Sequence, residues 1–121
     1  MDKKICITGA SKGIGLAEAQ LLSKDYELYL HASKMASFDN ITIPNSTLFG
    51  YDFTKIENVD LFVEDLKQKT SSLDVLVNNA GLMFIEKFSD FQDNDIHTLI
   101  TLNLHAQLLV TKKTNSSITK K

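Results

Sequence analysis

Apolar positions along this chain fall into two alternating spacings. Ile5, Cys6, Ile7 and Thr8 form a short run closed by Gly9, the pattern of a strand buried on both faces. Between Gly13 and Lys24 the spacing lengthens. Ile14, Ala17, Leu21 and Leu22 share one helical stripe, and Asp25 ends it. Leu28 to Ala32 is a second apolar run. A polar stretch with the only proline, Pro44, leads to a third strand candidate, Thr47 to Tyr51. Val59, Phe62, Val63 and Leu66 repeat at i, i+3, i+4, i+7 and predict a helix packed along one face. Leu73, Val75, Leu76 and Val77 predict a fourth strand, and Ile96, Leu99, Ile100 and Leu104 a further helix capped by Asp93. Strands that alternate with helices predict a parallel α/β sheet. The 121 residues suit one domain, placed at 1–110. Residues 111–121, TKKTNSSITKK with Ile118 alone apolar, read as a polar, disordered tail.

The chemistry concentrates where the first strand meets the first helix, at Thr8-Gly9-Ala10-Ser11-Lys12-Gly13-Ile14-Gly15. A glycine turn there lets backbone approach a pyrophosphate without Cβ clashes, while the N–H groups and positive end of the helix face the anion. Gly9 serves the turn, Gly13 the close approach and Gly15 helix packing. The spacing is G-x-x-x-G-x-G rather than the standard G-x-G-x-x-G.

Composition narrows the options. All 13 basic residues are lysines, against 15 acidic ones, so the net charge of -2 supplies no global attraction to nucleic acid or anionic lipid. Without arginine, a bound phosphate must be met by lysine, hydroxyls or backbone N–H groups. Cys6, the single cysteine, excludes an internal disulfide and a cysteine-rich zinc site. No run approaches a membrane span or a signal-peptide core, and the expected setting is the cytoplasm.

Further along lie Tyr51-Asp52-Phe53 at the end of the third strand, Asn78-Asn79-Ala80-Gly81 at the end of the fourth, and Asn103 in the last helix. In an open parallel sheet that rim is where ligands bind. With the glycine loop, these motifs make residues 1 to about 111 resemble the N-terminal half of a classical short-chain dehydrogenase/reductase. The resemblance implies a Rossmann-like sheet, half of a doubly wound fold, with strand order 3-2-1-4, and an NAD(P) cofactor. It gives Gly9, Gly13, Ile14 and Gly15 to the pyrophosphate, and the Asp52 side chain to the adenine amino group. Asn78, Ala80 and Gly81 would line the nicotinamide-side ribose. Asn103 would match the catalytic asparagine that orders a helix bend. Its position after Leu99 and Ile100 predicts that it faces the buried side.

The second strand ends Leu30-His31-Ala32-Ser33-Lys34, without the carboxylate that accepts from a ribose 2′-OH. Glu27 stands at the opposite end. Ser11 and Lys12 in the loop, with Ser33 and Lys34, are therefore candidates for cofactor contact, the last three around a 2′-phosphate, and NADP is favoured over NAD. His31 comes near the adenine ribose, whereas His97 and His105 form no metal-ligand constellation and are read as structural or surface residues.

The family's chemistry also needs a serine and a Tyr-x-x-x-Lys pair after the helical asparagine, the tyrosine exchanging a proton with the substrate oxygen. Tyr26, Tyr29 and Tyr51 all precede Asn103, and Ser116 and Ser117 fall in the polar tail. Tyr51 and Lys55 match the letters but straddle a strand end, so we read them as a decoy. Three possibilities stay open: a truncated or frame-shifted NADP-dependent alcohol/carbonyl oxidoreductase, a non-catalytic dinucleotide-binding remnant or sensor, and an unstable fragment. A fourth strand left without its outer neighbour predicts a homo-oligomer or aggregation.

Overall fold

The computed structural model describes residues 3–81 and 87–117. Four parallel strands, β1 (Lys4–Ile7), β2 (Glu27–Ala32), β3 (Ser46–Gly50) and β4 (Val75–Val77), pair in the order β3-β2-β1-β4. Each crossover between neighbours carries a helix or a longer connection, as parallel pairing requires. The helices are α1 (Gly13–Leu22), α2 (Glu57–Lys69), α3 (Asp93–Ile100) and α4 (Gln107–Ser117); a wide π-turn segment over Thr101–Ala106 joins the last two. Short 3₁₀ turns lie at Met35–Phe38 and Phe88–Asp90. The predicted half-Rossmann sheet and its 3-2-1-4 order are what the chain forms.

Strand alternation sorts the core onto two faces. Cys6, Tyr29 and Phe49 point with Phe62, Val63 and Leu66 of α2 and with Ala106 and Val110. Ile5, Ile7, Leu28 and Leu30 point the other way, onto Ala19 of α1 and Phe38. Phe62 is fully buried and meets the edges of the Phe49, Phe53 and His31 rings; burying such a ring is worth about 1.5–3 kcal/mol.

Four local expectations are corrected. In α1 the buried residues are Gly15 and Ala19, while Ile14 and Leu21 are 74% and 71% exposed. The inward face is rotated by one residue from the apolar stripe, because the close approach of helix to sheet requires small side chains. The cap of α3 is Gln92 rather than Asp93, with the Gln92 N–H donating to Asp95 Oδ2 at 2.9 Å. The third strand begins at Ser46 and ends at Gly50, one residue earlier than its apolar run.

The fourth concerns the polar tail: residues 111–117 continue α4 as helix. Polar composition misleads here because threonine packs. Thr114 is buried, its hydroxyl donating to Val110 O at 2.7 Å, and Lys113 Nζ pairs with Asp60 Oδ1 of α2 at 2.7 Å. The rest of the predicted tail, 118–121 with Ile118, lies outside the described residues.

Candidate functional site

The site is built at the carboxyl ends of β1, β2 and β3. The chain leaves β1 through Thr8 and turns at Gly9 (φ 65°), and a second left-handed residue, Gly13 (φ 59°), opens α1. Both conformations favour glycine. Gly9 is also wedged, since a Cβ there would stand 2.7 Å from Ala80 Cα. Gly15 has a different reason: a Cβ on it would run into Gly9 O and the Asn79 amide. Its expected helix-packing role is thus packing of helix against the loop. No side chain caps the start of α1, which leaves that terminus with the N–H groups and dipole that suit an anion.

Interior hydrogen bonds fix the loop. Thr8 Oγ1 accepts from the N–H groups of Asn79 and Ala80 at 3.0 and 3.1 Å. Asn79 Nδ2 donates to Gly9 O at 2.9 Å, and Ala10 N–H to His31 O at 2.7 Å. Gly9 N–H donates to His31 Nδ1 at 3.1 Å. The His31 ring is 3% exposed, stacks on Phe53 at 3.9 Å and lies 2.7 Å by Nε2 from Tyr51 O. Burial drives its pKa from the ordinary 6.5 down to about 4, against the raising pull of the Tyr51 carbonyl and the Asp52 carboxylate.

One cavity of about 790 Å³ opens above this rim, a size suited to a bound small molecule. Of the residues singled out in the sequence, Gly9, Ser11, Lys12, Gly13, Ile14, Ser33, Asp52, Ala80 and Gly81 line it. Asp52 is held by its own turn, Oδ1 accepting from Thr54 N–H and Oγ1 at 3.0 and 2.6 Å. His31, placed near the adenine ribose by the sequence, also lines the cavity, and Ala32, Phe53, Thr54, Asn79 and Leu102, to which the sequence assigned no role, complete the wall.

Four candidates stand elsewhere, Asn103 among them. Gly15 lies beneath the loop. Lys34 is exposed at the start of the 3₁₀ turn and is not part of the cavity wall. Asn78 turns away: its Nδ2 donates to Thr111 Oγ1 at 2.8 Å, and it lines a smaller cavity of about 200 Å³ between β4 and α4. Strand alternation explains the swap. Leu76 and Asn78 point toward α4, while Val77 and Asn79 point toward the glycine loop.

Asn103 is exposed rather than buried, because the stripe it follows is itself not buried: α3 has no buried residue, and Ile100, before the π-turn, already faces outward. The buried positions are Thr101, Ala106, Val110 and Thr114, while Leu104 also faces outward. Asn103 Oδ1 lies against Gly81, where a Cβ would sit 3.3 Å from it. Beyond it, Gln107 Nε2 donates to the Ala80 carbonyl.

Tyr51 and Lys55 do not form a proton-transfer pair at this cavity. The Tyr51 hydroxyl donates to Asp65 Oδ2 of α2 at 2.8 Å, and burial together with that carboxylate raises its pKa, the opposite of what an acid/base tyrosine needs. Among the described residues no cluster of three metal-ligating side chains occurs, and no helix is long and apolar enough to cross a membrane.

A parallel sheet with a glycine turn at a helix N-terminus and a cavity on its carboxyl rim defines a dinucleotide-fold protein. The short chain dehydrogenase profile matches residues 3–121, and the chain belongs to that family. It is 33% identical over 113 residues to an NAD-dependent glycerol dehydrogenase of Listeria innocua, covering 90% of this chain and 44% of that protein. A Serratia marcescens short-chain dehydrogenase/reductase mutant superposes with TM-score 0.81 at 17% identity, over 98% of this chain and 51% of the other. A variant of ElxO with NADPH bound gives 0.80 at 25% identity, over 96% and 50%. The chain spans about half the length of the relatives it matches.

Proposed function

We propose that this chain binds NADP at the carboxyl rim of its sheet, as the dinucleotide-binding half of a short-chain oxidoreductase. The observation that carries the reading is the glycine loop, held open above one cavity with Lys12 and Ser33 on its wall and no carboxylate at the end of β2. The loop and the N-terminus of α1 would hold the pyrophosphate through backbone N–H groups. Asp52 would accept from the adenine amino group. Lys12 and Ser33 would meet the 2′-phosphate, which a ribose-binding acid would repel. Lys34, outside the cavity wall, supplies at most longer-range attraction. Ala80, Gly81 and Asn103 would border the nicotinamide end, where the bound cofactor supplies or accepts hydride. ElxO, with NADPH bound, supports the phosphate preference by likeness; the glycerol dehydrogenase, NAD-dependent, points the other way.

In the complete family member the reaction would be hydride transfer between an alcohol and a carbonyl. Within these 121 residues no tyrosine follows Asn103, so the chain by itself binds without turnover. Cys6, buried with its thiol pushed up to about 12, is an inert core residue that fits a cytoplasmic setting. Among the described residues the outer edge of β4 pairs with no strand of the sheet, and we expect it to draw copies together.

Calorimetric titration with NADP⁺ and NAD⁺ tests the reading. NADP⁺ should bind more tightly, and Lys12→Ala should cost it about tenfold or more while leaving NAD⁺ unchanged, as loss of a charge-assisted contact does. Equal affinities, or an NAD⁺ preference, would overturn the cofactor assignment. Steady NADPH oxidation by the pure chain with ketones, or NADP⁺ reduction with alcohols, abolished by Tyr51→Phe, would overturn the non-catalytic part.

A further inference from the structure

The loop's one titratable tie is His31, and its two hydrogen bonds leave the ring no choice of tautomer. Gly9 N–H can only donate, so Nδ1 must offer its lone pair across the 3.1 Å between them. Tyr51 O can only accept, so the proton sits on Nε2, 2.7 Å away. The ring cannot swing to other partners, being sandwiched against Phe53 with the Phe62 edge beside it.

We propose that His31 is a positioning residue for the dinucleotide loop: its neutral imidazole holds Gly9 in place, and protonation of the ring releases it. The proposal rests on the dinucleotide-binding reading. An imidazolium carries N–H at both nitrogens and would face the Gly9 donor with another donor. On the side where a Cβ would stand, Gly9 has no room to yield, since that position is 2.7 Å from Ala80 Cα. The relief is outward, into the cavity where the pyrophosphate belongs. The remaining ties of the loop, from Asn79 Nδ2 to Gly9 O and from Ala10 N–H to His31 O, do not titrate in the acid range.

Each element packed on the ring contributes to its charge balance. From the β3–α2 turn the Asp52 carboxylate favours the imidazolium. The Tyr51 hydroxyl is engaged by Asp65 of α2, and α2 sets the Phe62 ring against the imidazole. From the loop, Lys12 lines the same cavity. Across the sheet the register partner is Phe49. Burial outweighs Asp52, and the neutral ring prevails at neutral pH.

The test uses the whole chain at pH 7.5 and below, with NADP⁺ as the acid-stable probe. In the wild type, nitrogen-15 spectra should show Nε2 protonated and a coupling across the hydrogen bond from the Gly9 amide to Nδ1. His31→Phe keeps the stack on Phe53 but offers no acceptor, and should weaken NADP⁺ binding about tenfold, the usual worth of one such bond. His31→Asn places a carbonyl oxygen where Nδ1 stands and should restore most of that affinity. The ratio of wild-type to His31→Asn affinity should fall as pH drops toward 4, a change that a merely structural ring would not produce. A flat ratio, an Nδ1-protonated ring, or His31→Phe binding like wild type would overturn the proposal. Should wild type bind neither NADP⁺ nor NAD⁺, the dinucleotide reading fails and the loop role with it. The Gly9 coupling then still reports whether the tie itself exists.

Discussion

The glycine rim and the outer flank of β4 are held by different kinds of contact. At the rim, Thr8, Gly9, Ala10, His31, Asn79 and Ala80 bond to one another through largely buried groups. On the flank, Val75 is 44% exposed, the Asn78–Thr111 bond is open to water, and α4 is tied to α2 by a surface ion pair. Buried hydrogen bonds are costly to break because the orphaned partner has no water to turn to. Surface contacts are replaced by water at little loss. The rim is thus preorganised for a ligand, and the flank tolerates change.

The largest break in that contrast should come from acid. The folded chain keeps His31 neutral down to about pH 4, while an unfolded histidine binds its proton near 6.5. Folding therefore expels a proton between those values, and stability falls as pH drops through that window. It is fully present above pH 6.5 and flat again below 4 as far as this residue is concerned. The shift amounts to about 3 kcal/mol. Urea unfolding over a pH series should show this slope in the wild type and its loss in His31→Phe; an identical slope in both would place the acid sensitivity elsewhere.

Glycine substitutions sharpen the rim further. Gly15→Ala drives a methyl into Gly9 O and Asn79, and should cost about 2 kcal/mol by overpacking, with loss of nucleotide binding. Gly13→Ala meets nothing within 4 Å and should cost about 1 kcal/mol from its left-handed backbone alone. Equal urea midpoints for the two variants would show that the loop yields to the methyl.

Much of this contrast was legible in the sequence, but unevenly. The four strands and the residues of the glycine loop follow from short apolar runs and the turn between them, because burial on both faces and a left-handed turn leave few alternatives; the strand order came only with the family resemblance. The Asn78/Asn79 choice was not legible, since it depends on which face of β4 meets the loop. Asn103 was misplaced because the apolar stripe of Leu99 and Ile100 does not mark a buried face: α3 buries no residue. The helix over 111–117 was missed because Thr114 and Lys113 gain their worth from Val110 and Asp60, which only the packed structure brings near. His31 showed its proximity to the ligand rim but not its tie to Gly9.

On the flank, effects should be smaller in stability and visible in association. Val75→Lys places a charge at the open edge of β4, a common device against edge-to-edge pairing. Monomer stability should move by no more than about 0.5 kcal/mol. Sedimentation over a concentration series should shift toward monomer relative to wild type. A wild type that is already monomeric at every concentration would remove the edge as a site of association.

The smallest effect should come from the bridge between α4 and α2. Lys113 Nζ lies 2.7 Å from Asp60 Oδ1, yet the two side chains are 36% and 65% exposed, so water screens the attraction. Asp60 also sits in the first turn of α2, where its charge favours the helix dipole whether or not Lys113 is present. Single substitutions therefore mix the pair with other contacts. A cycle of Lys113→Ala, Asp60→Ala and the double variant separates them, and the coupling should be about 0.3–0.5 kcal/mol, shrinking further in 1 M salt. A coupling above about 1.5 kcal/mol would mean that this ion pair is as costly to break as the buried bonds of the rim, and that the two regions differ less than their exposure implies.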